Sequence, residues 1–246
     1  MGMLSLQHTK IVRLLLILMV AGFLTGCQEE FIEITEPNAD TAFASSDSIA
    51  GLILKVTLKD GSFDNMIDKC SEINIEFPYS VRVRNEIIEI QSPEEIEALH
   101  EQLKQNSKSI KIVFPVTVSF SDYSTMVVSN NGELMRLQNR YIHRKYDDDI
   151  ECIDFIYPIE MDLYDTLFQK QEYRHVRNDK AFHGILKGKK DFIFEIEYPV
   201  SLEISDSTTI EVTNNSELKH AIRNSIGTCD ENDEVELENE DQHPGE

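Results

Sequence analysis

The feature that most constrains the fold of this chain is a strand pattern that occurs four times. Each copy has an aromatic residue followed by proline, within a run of alternating apolar residues. The copies begin at Ile73, Ile110, Ile153 and Phe192. In the first copy apolar residues occupy every second position from Ile73 to Val83, and period two predicts a strand with one face in a core. Proline cannot donate to a strand ladder, so each copy is expected to have an edge, bulge or bend at its proline. These prolines are Pro78, Pro115, Pro158 and Pro199.

Helix starts follow the strand patterns. Ser92 precedes Pro93, and Asn130 and Asn214 each precede a glutamate by three positions, a spacing typical of helix N-termini. Asn178 is a weaker start of the same kind. The sequence therefore predicts strand–strand–helix four times, in an α+β fold of two tandem modules. Each module is expected to contain antiparallel sheets with helices packed on one face.

The first residues have the features of an export signal. Lys10 and Arg13 precede an apolar run that ends at Leu24, and the run is followed by Thr25, Gly26 and Cys27. The Leu-Thr-Gly-Cys ending resembles the lipobox of bacterial lipoproteins. That resemblance implies cleavage after Gly26 and acylation of Cys27, so that acyl chains anchor the protein in a lipid membrane. A plain signal peptide and an uncleaved anchor are the alternatives.

Two further features resemble Bacteroidetes lipoproteins. Gln28, Glu29 and Glu30 resemble their surface-export signal, which implies the outer membrane and display at the cell surface. The repeats over residues 70–229 resemble modules of lipoproteins of uncharacterised function from the same group. Those modules often have glycine in a turn where this chain has Tyr123 and Ser207, so the match is partial. It implies architecture and location, and no activity.

Composition divides the chain into five segments. We expect a signal peptide at 1–26, an acidic flexible tether at 27–49, a first module at 50–146, a second module at 147–229 and an acidic disordered tail at 230–246. Removing residues 1–26 removes two positive charges and takes the net charge from −22 to −24. So negative a surface repels nucleic acid, and we expect no nucleic-acid partner.

Three cysteines remain besides Cys27, namely Cys70, Cys152 and Cys229, and they allow one intramolecular bridge with three pairings. We favour Cys152–Cys229, because these two residues bracket one complete module. Cys70 would then be a buried apolar residue or an intermolecular partner.

Motifs for catalysis and for cofactors are missing from the sequence. We find no nucleophile elbow, phosphate loop or paired-histidine metal motif, so we predict no catalytic residues, no metal site and no cofactor. The acidic stretch Asp147–Asp149 is a weak candidate for calcium and is more simply a solvated linker. His175 and His183 flank a loop and could meet, although a metal role for them is disfavoured. The chain is expected to be a non-enzymatic binding or structural protein of the envelope, with an unknown protein or glycan partner. The alternative is a lipid-anchored hydrolase, which would need a cleft with convergent carboxylates.

Overall fold

The proline of each repeat separates two strands that belong to different sheets. The computed structural model describes residues 36–104, 110–141 and 148–229. Within these ranges every aromatic-Pro peptide of the repeats is cis, for example Phe77–Pro78. The α+β fold class is confirmed. The predicted strand–strand–helix order is wrong in one respect: the missing proline N–H interrupts the ladder, so each repeat is strand–strand–strand–helix.

The repeats have the same element order. Repeat 1 is β2 (Ile73–Ile75), β3 (Tyr79–Val83), β4 (Glu86–Ile90) and α3 (Pro93–Lys104); repeat 2 is β5 (Ile110–Val113), β6 (Val116–Phe120), β7 (Thr125–Val128) and α4 (Asn131–Tyr141). Repeat 3 is β8 (Ile153–Phe155), β9 (Ile159–Tyr164), β10 (Lys170–Val176) and α5 (Asp179–Gly188). Repeat 4 is β11 (Ile193–Ile196), β12 (Val200–Ile204), β13 (Thr209–Val212) and α6 (Asn215–Ser225). Before them lie β1 (Ala42–Ala44), α1 (Ser48–Val56), a 3-10 turn (Ser62–Asp64) and α2 (Asn65–Asp68).

Repeats interlock in pairs by exchanging their first strands. β2 pairs with β6 of repeat 2, while β5 pairs with β3 of repeat 1, and every pairing is antiparallel. The second pair repeats this exchange, because β8 pairs with β12 and β11 pairs with β9. A single repeat therefore lacks a strand in both of its sheets, which explains physically why the repeats occur in pairs.

Each pair of repeats encloses its own apolar core. The first core contains Val81 and Val118 from strands, together with Leu99 and Leu134 from α3 and α4. The second contains Phe194 and Leu202 from strands and Phe182 and Leu218 from α5 and α6. The predicted alternation is confirmed: Tyr79, Val81 and Val83 are all at most 7% exposed, whereas Arg82 between them is exposed. The predicted helix starts are also confirmed, with Asn130, Asn178 and Asn214 each accepting a backbone N–H three residues later.

The predicted tether at 27–49 and the predicted start of the first module at residue 50 are wrong over the described residues. Phe43 in β1 lies opposite Phe194 in β11, and the two rings are 5.6 Å apart. Helix α1 places Ile49, Ile53 and Val56 in the second core, although it precedes the first module in sequence. These apolar side chains are removed from water, and that burial holds residues 42–56 against the second module.

Candidate functional site

A cleft of about 390 Å³ lies where the two modules meet. Its lining comes from the end of α1 and the segment after it, from the β6–β7 turn, from β8 and the connection leading into it, and from the start of α5. The lining residues are Val56, Leu58, Lys59, Asp60, Tyr123, Asp149, Ile150, Glu151, Asp154 and Asp179. Five of these ten residues are carboxylates, so the cleft is strongly acidic.

Hydrogen bonds between distant segments hold the walls of the cleft. The Lys59 N–H donates to the Ser121 carbonyl at 2.9 Å, and the Tyr123 hydroxyl donates to the Thr57 carbonyl at 3.1 Å. Tyr123 has φ = 65°, a left-handed conformation that orients the end of the β6–β7 turn. Its ring also lies 5.9 Å from that of His183 on α5. One residue of the first module thus contacts both the segment after α1 and the second module.

Three carboxylates converge in the cleft. One oxygen each of Asp60, Asp149 and Glu151 lie within 4.8 Å of one another, and all three side chains are half-buried. Asp60 is also oriented locally, because its Oδ1 accepts hydrogen bonds from the Ser62 N–H and hydroxyl. Hard cations prefer oxygen ligands of this kind, and a positively charged group of a partner would be attracted to the same oxygens.

Two other carboxyl groups in the cleft hold protons more tightly than usual. Burial, followed by the charges of Asp179 and Glu203, raises the pKa of Asp154. Burial also raises the pKa of Asp179, although the Tyr157 hydroxyl donates a hydrogen bond to its Oδ1 at 2.5 Å and opposes the shift. A carboxyl group with a raised pKa beside other carboxyl groups is the arrangement that general acid–base catalysis uses.

The acidic stretch proposed as a calcium candidate separates in the structure. Asp147 lies outside the described residues, and exposed Asp148 forms an ion pair with Lys55 at 3.6 Å. Of the two described residues, only Asp149 lines the cleft. Asp60, Tyr123 and Asp179 were not predicted as site residues, because each comes from a different part of the chain and no local motif marks it.

The histidines singled out from the sequence occupy different surroundings. His175 on β10 contacts Glu160 on the neighbouring strand β9 through its Nδ1. His183 is 3% exposed on α5, and burial together with the charge of Lys187 lowers its pKa. His175 and His183 thus lie in different surroundings, because α5 turns the His183 side chain toward α1 and Tyr123.

Cys152 and Cys229 form a disulfide bond that joins the start of repeat 3 to the residues after α6, which is the pairing favoured from the sequence. Cys70 is 4% exposed and packs in the first core, so the prediction that it is a buried apolar residue is confirmed. Burial raises the pKa of its thiol to about 12.

Gly26, Cys27 and the predicted export signal Gln28, Glu29 and Glu30 lie outside the described residues, as does the predicted tail 230–246. Among the helices that the structure describes, none combines the length and apolar character needed to cross a bilayer. Comparisons with protein-family models, curated proteins and solved structures found no match to this chain.

Proposed function

We propose that this chain is a lipid-anchored lipoprotein of the bacterial outer membrane, displayed at the cell surface, whose folded body binds a partner without catalysing a reaction. The observation that carries the proposal is the Leu24-Thr25-Gly26-Cys27 ending after a basic start and a short apolar run. Gln28, Glu29 and Glu30 support surface display. With a net charge near −24 after cleavage, the acyl chains rather than charge attraction would hold the protein at an anionic membrane.

The cleft between the modules is the part of the body best suited to a partner. Carboxylates outnumber cations there, and the side chain of Lys59 is already engaged by Glu76 at 2.6 Å and Ser119 at 2.5 Å. Complementary charge guides association and excludes partners of the same sign. The partner would therefore be a protein or glycan that carries positively charged groups.

The anchor is tested by intact mass and membrane partition of the expressed protein, comparing wild type with Cys27→Ala. We expect a mature mass that begins at Cys27 with added acyl chains, and we expect the acyl mass and the membrane partition to be lost in the variant. Cys70→Ala is the matched control, because it removes a buried cysteine and should leave both the acyl mass and the partition unchanged. An unmodified, soluble wild type would contradict the proposal. Protease treatment of intact cells then distinguishes the outer from the inner face.

A lipid-anchored hydrolase is the second candidate, because the cleft contains the convergent carboxylates that such an enzyme would need. Asp154 or Asp179, with a raised pKa, would serve as the acid, and Asp60 or Asp149 in the same cleft as the base. Polysaccharide and peptide polymers are the substrates to assay. Turnover that Asp154→Asn abolishes and Asp148→Asn leaves unchanged would favour this enzyme over the binding protein.

A further inference from the structure

Two aspartates are fully buried in the first module, close to the cleft but separate from its surface acids. Asp64 and Asp68 are both 0% exposed. One oxygen of each carboxylate is satisfied locally: Asp64 Oδ2 accepts the Ile75 N–H at 2.8 Å, and Asp68 Oδ1 accepts the Cys70 N–H at 3.0 Å. Their second oxygens, Asp64 Oδ1 and Asp68 Oδ2, are buried and accept no hydrogen bond.

Neutral oxygens without partners lie in the same region. Tyr79 on β3 is 5% exposed, and its hydroxyl has no hydrogen-bond partner. Burial raises the pKa of Tyr79, and the nearby charges of Asp64 and Asp68 raise it further. Asn74 is 1% exposed; its Nδ2 donates to the Asp60 carbonyl at 2.6 Å, while its Oδ1 is buried and unpartnered.

This set of buried atoms is unfavourable for a protein that binds nothing there. A buried carboxylate without a compensating charge is costly, and a buried hydroxyl or amide oxygen without a hydrogen bond adds to that cost. Among the described ion pairs, none includes Asp64 or Asp68. Burial, which is opposed chiefly by the Ile75 N–H, raises the pKa of Asp64 to about 7, and burial raises the pKa of Asp68 well above its usual range. The charges of Lys59 and Lys69 oppose these shifts only in part, so a proton or a bound cation would stabilise the pair further.

We propose that these buried oxygens bind one Ca²⁺ ion, with Asp64 Oδ1 and Asp68 Oδ2 as the charged ligands and Asn74 Oδ1 and Tyr79 Oη as neutral ligands. Two carboxylates balance the charge of a divalent cation. Ca²⁺ accepts carboxylate and amide oxygens in irregular geometry, whereas Mg²⁺ retains several waters and demands a near-octahedral shell. A fully buried and irregular oxygen set therefore favours Ca²⁺.

The cleft supplies the natural control for this site. Asp60 connects the two places, since its carboxylate lies in the cleft while its backbone carbonyl holds Asn74. Surface acids such as Asp60 and Asp149 could also attract cations. Substitution at these positions separates binding at the buried pair from binding at the cleft.

The test is calorimetric titration of the full chain, purified in detergent and stripped of metal, with CaCl₂ and then MgCl₂ at matched ionic strength. We expect one Ca²⁺ per chain, with a dissociation constant of about 10⁻⁴–10⁻³ M, as in extracellular calcium modules. Asp64→Asn and Asp68→Asn should each weaken Ca²⁺ binding by at least about 10-fold, because each removes a ligand charge. Asp149→Asn, the matched control from the cleft, should leave the affinity of the buried oxygens unchanged.

Thermal unfolding of the wild type keeps the proposal testable if a buried variant does not fold. At a Ca²⁺ concentration about 100-fold above the dissociation constant, the midpoint should rise by about 5–10 °C, and Mg²⁺ should raise it less. The absence of saturable Ca²⁺ binding, with no shift in the midpoint, would overturn the proposal and leave protons as the neutralising partners. Binding that Asp149→Asn removes and Asp64→Asn retains would overturn it in favour of the cleft.

Discussion

Removing the Cys152–Cys229 disulfide bond should destabilise the protein by an amount that follows from the length of the loop that the bond closes. The two residues are 77 positions apart in the sequence, so the bond closes a loop that contains almost the whole second module. For a loop of 77 residues, the loss of chain entropy in the unfolded state corresponds to about 4.5 kcal/mol at 25 °C. Cys229→Ser should therefore lower the free energy of unfolding by up to about 4.5 kcal/mol, or the midpoint by about 9–18 °C.

Urea denaturation followed by circular dichroism measures this effect, and the choice of residue keeps the packing intact. Cys152 is fully buried and Cys229 is half-buried, so substitution at 229 disturbs the core least. Removing the cross-link also expands the unfolded chain, so the dependence of unfolding free energy on urea should become steeper. Reducing the wild type should reproduce the loss, and reductant should have no effect on Cys229→Ser, because Cys70 is buried without a disulfide partner.

Two results would refute this reasoning. The first is a Cys229→Ser variant as stable as the oxidised wild type. The second is a variant that loses as much stability on reduction as the wild type does. Either result would mean that the bond does not restrain the unfolded chain.

Two further predictions concern packing and charge. Phe43→Ala should lower the free energy of unfolding by about 3–5 kcal/mol, because it removes the ring that packs against Phe194. Leu167→Ala, at a 71% exposed position, is the control and should change this free energy by less than about 0.5 kcal/mol. Equal effects of the two substitutions in thermal denaturation would contradict the placement of β1. Burial raises the pKa of Asp64 from 3.8 to about 7, so the folded state binds more protons than the unfolded state between these values. In metal-free buffer, stability should therefore fall as the pH rises from about 4 to 7, and it should fall less in Asp64→Asn; equal falls in urea midpoints would contradict this assignment.

Local patterns in the sequence predicted the buried faces of the strands and the helix starts, but they did not show that each aromatic-Pro run forms two strands. Alternation identified the buried face of β3, because successive side chains of a strand point to opposite faces. Asn178 and Asn214 identified helix starts, because the side chain of the residue that caps a helix N-terminus accepts a hydrogen bond from the backbone N–H three residues later. The favoured cysteine pairing followed from the length of one module.

The function of the N-terminus stays a sequence-based proposal. Lys10, Arg13 and the residues up to Cys27 carry the whole argument for export and acylation, and this argument depends on recognition by processing enzymes rather than on a folded site. The folded body adds a cleft in which a partner could bind.

Tertiary structure decided the features that join distant segments. The sequence could not show that strands would exchange between repeats, because pairing depends on which edges meet in space and Pro78 or Pro158 only marks the bend. Residues 39–48 have the composition of a tether, yet the aromatic side chain of Phe43 packs in the core against Phe194, which lies 151 positions later in the sequence. The acidic cleft and the buried pair Asp64–Asp68 were likewise invisible, since burial and convergence of charge arise only when the two modules and their cores have formed.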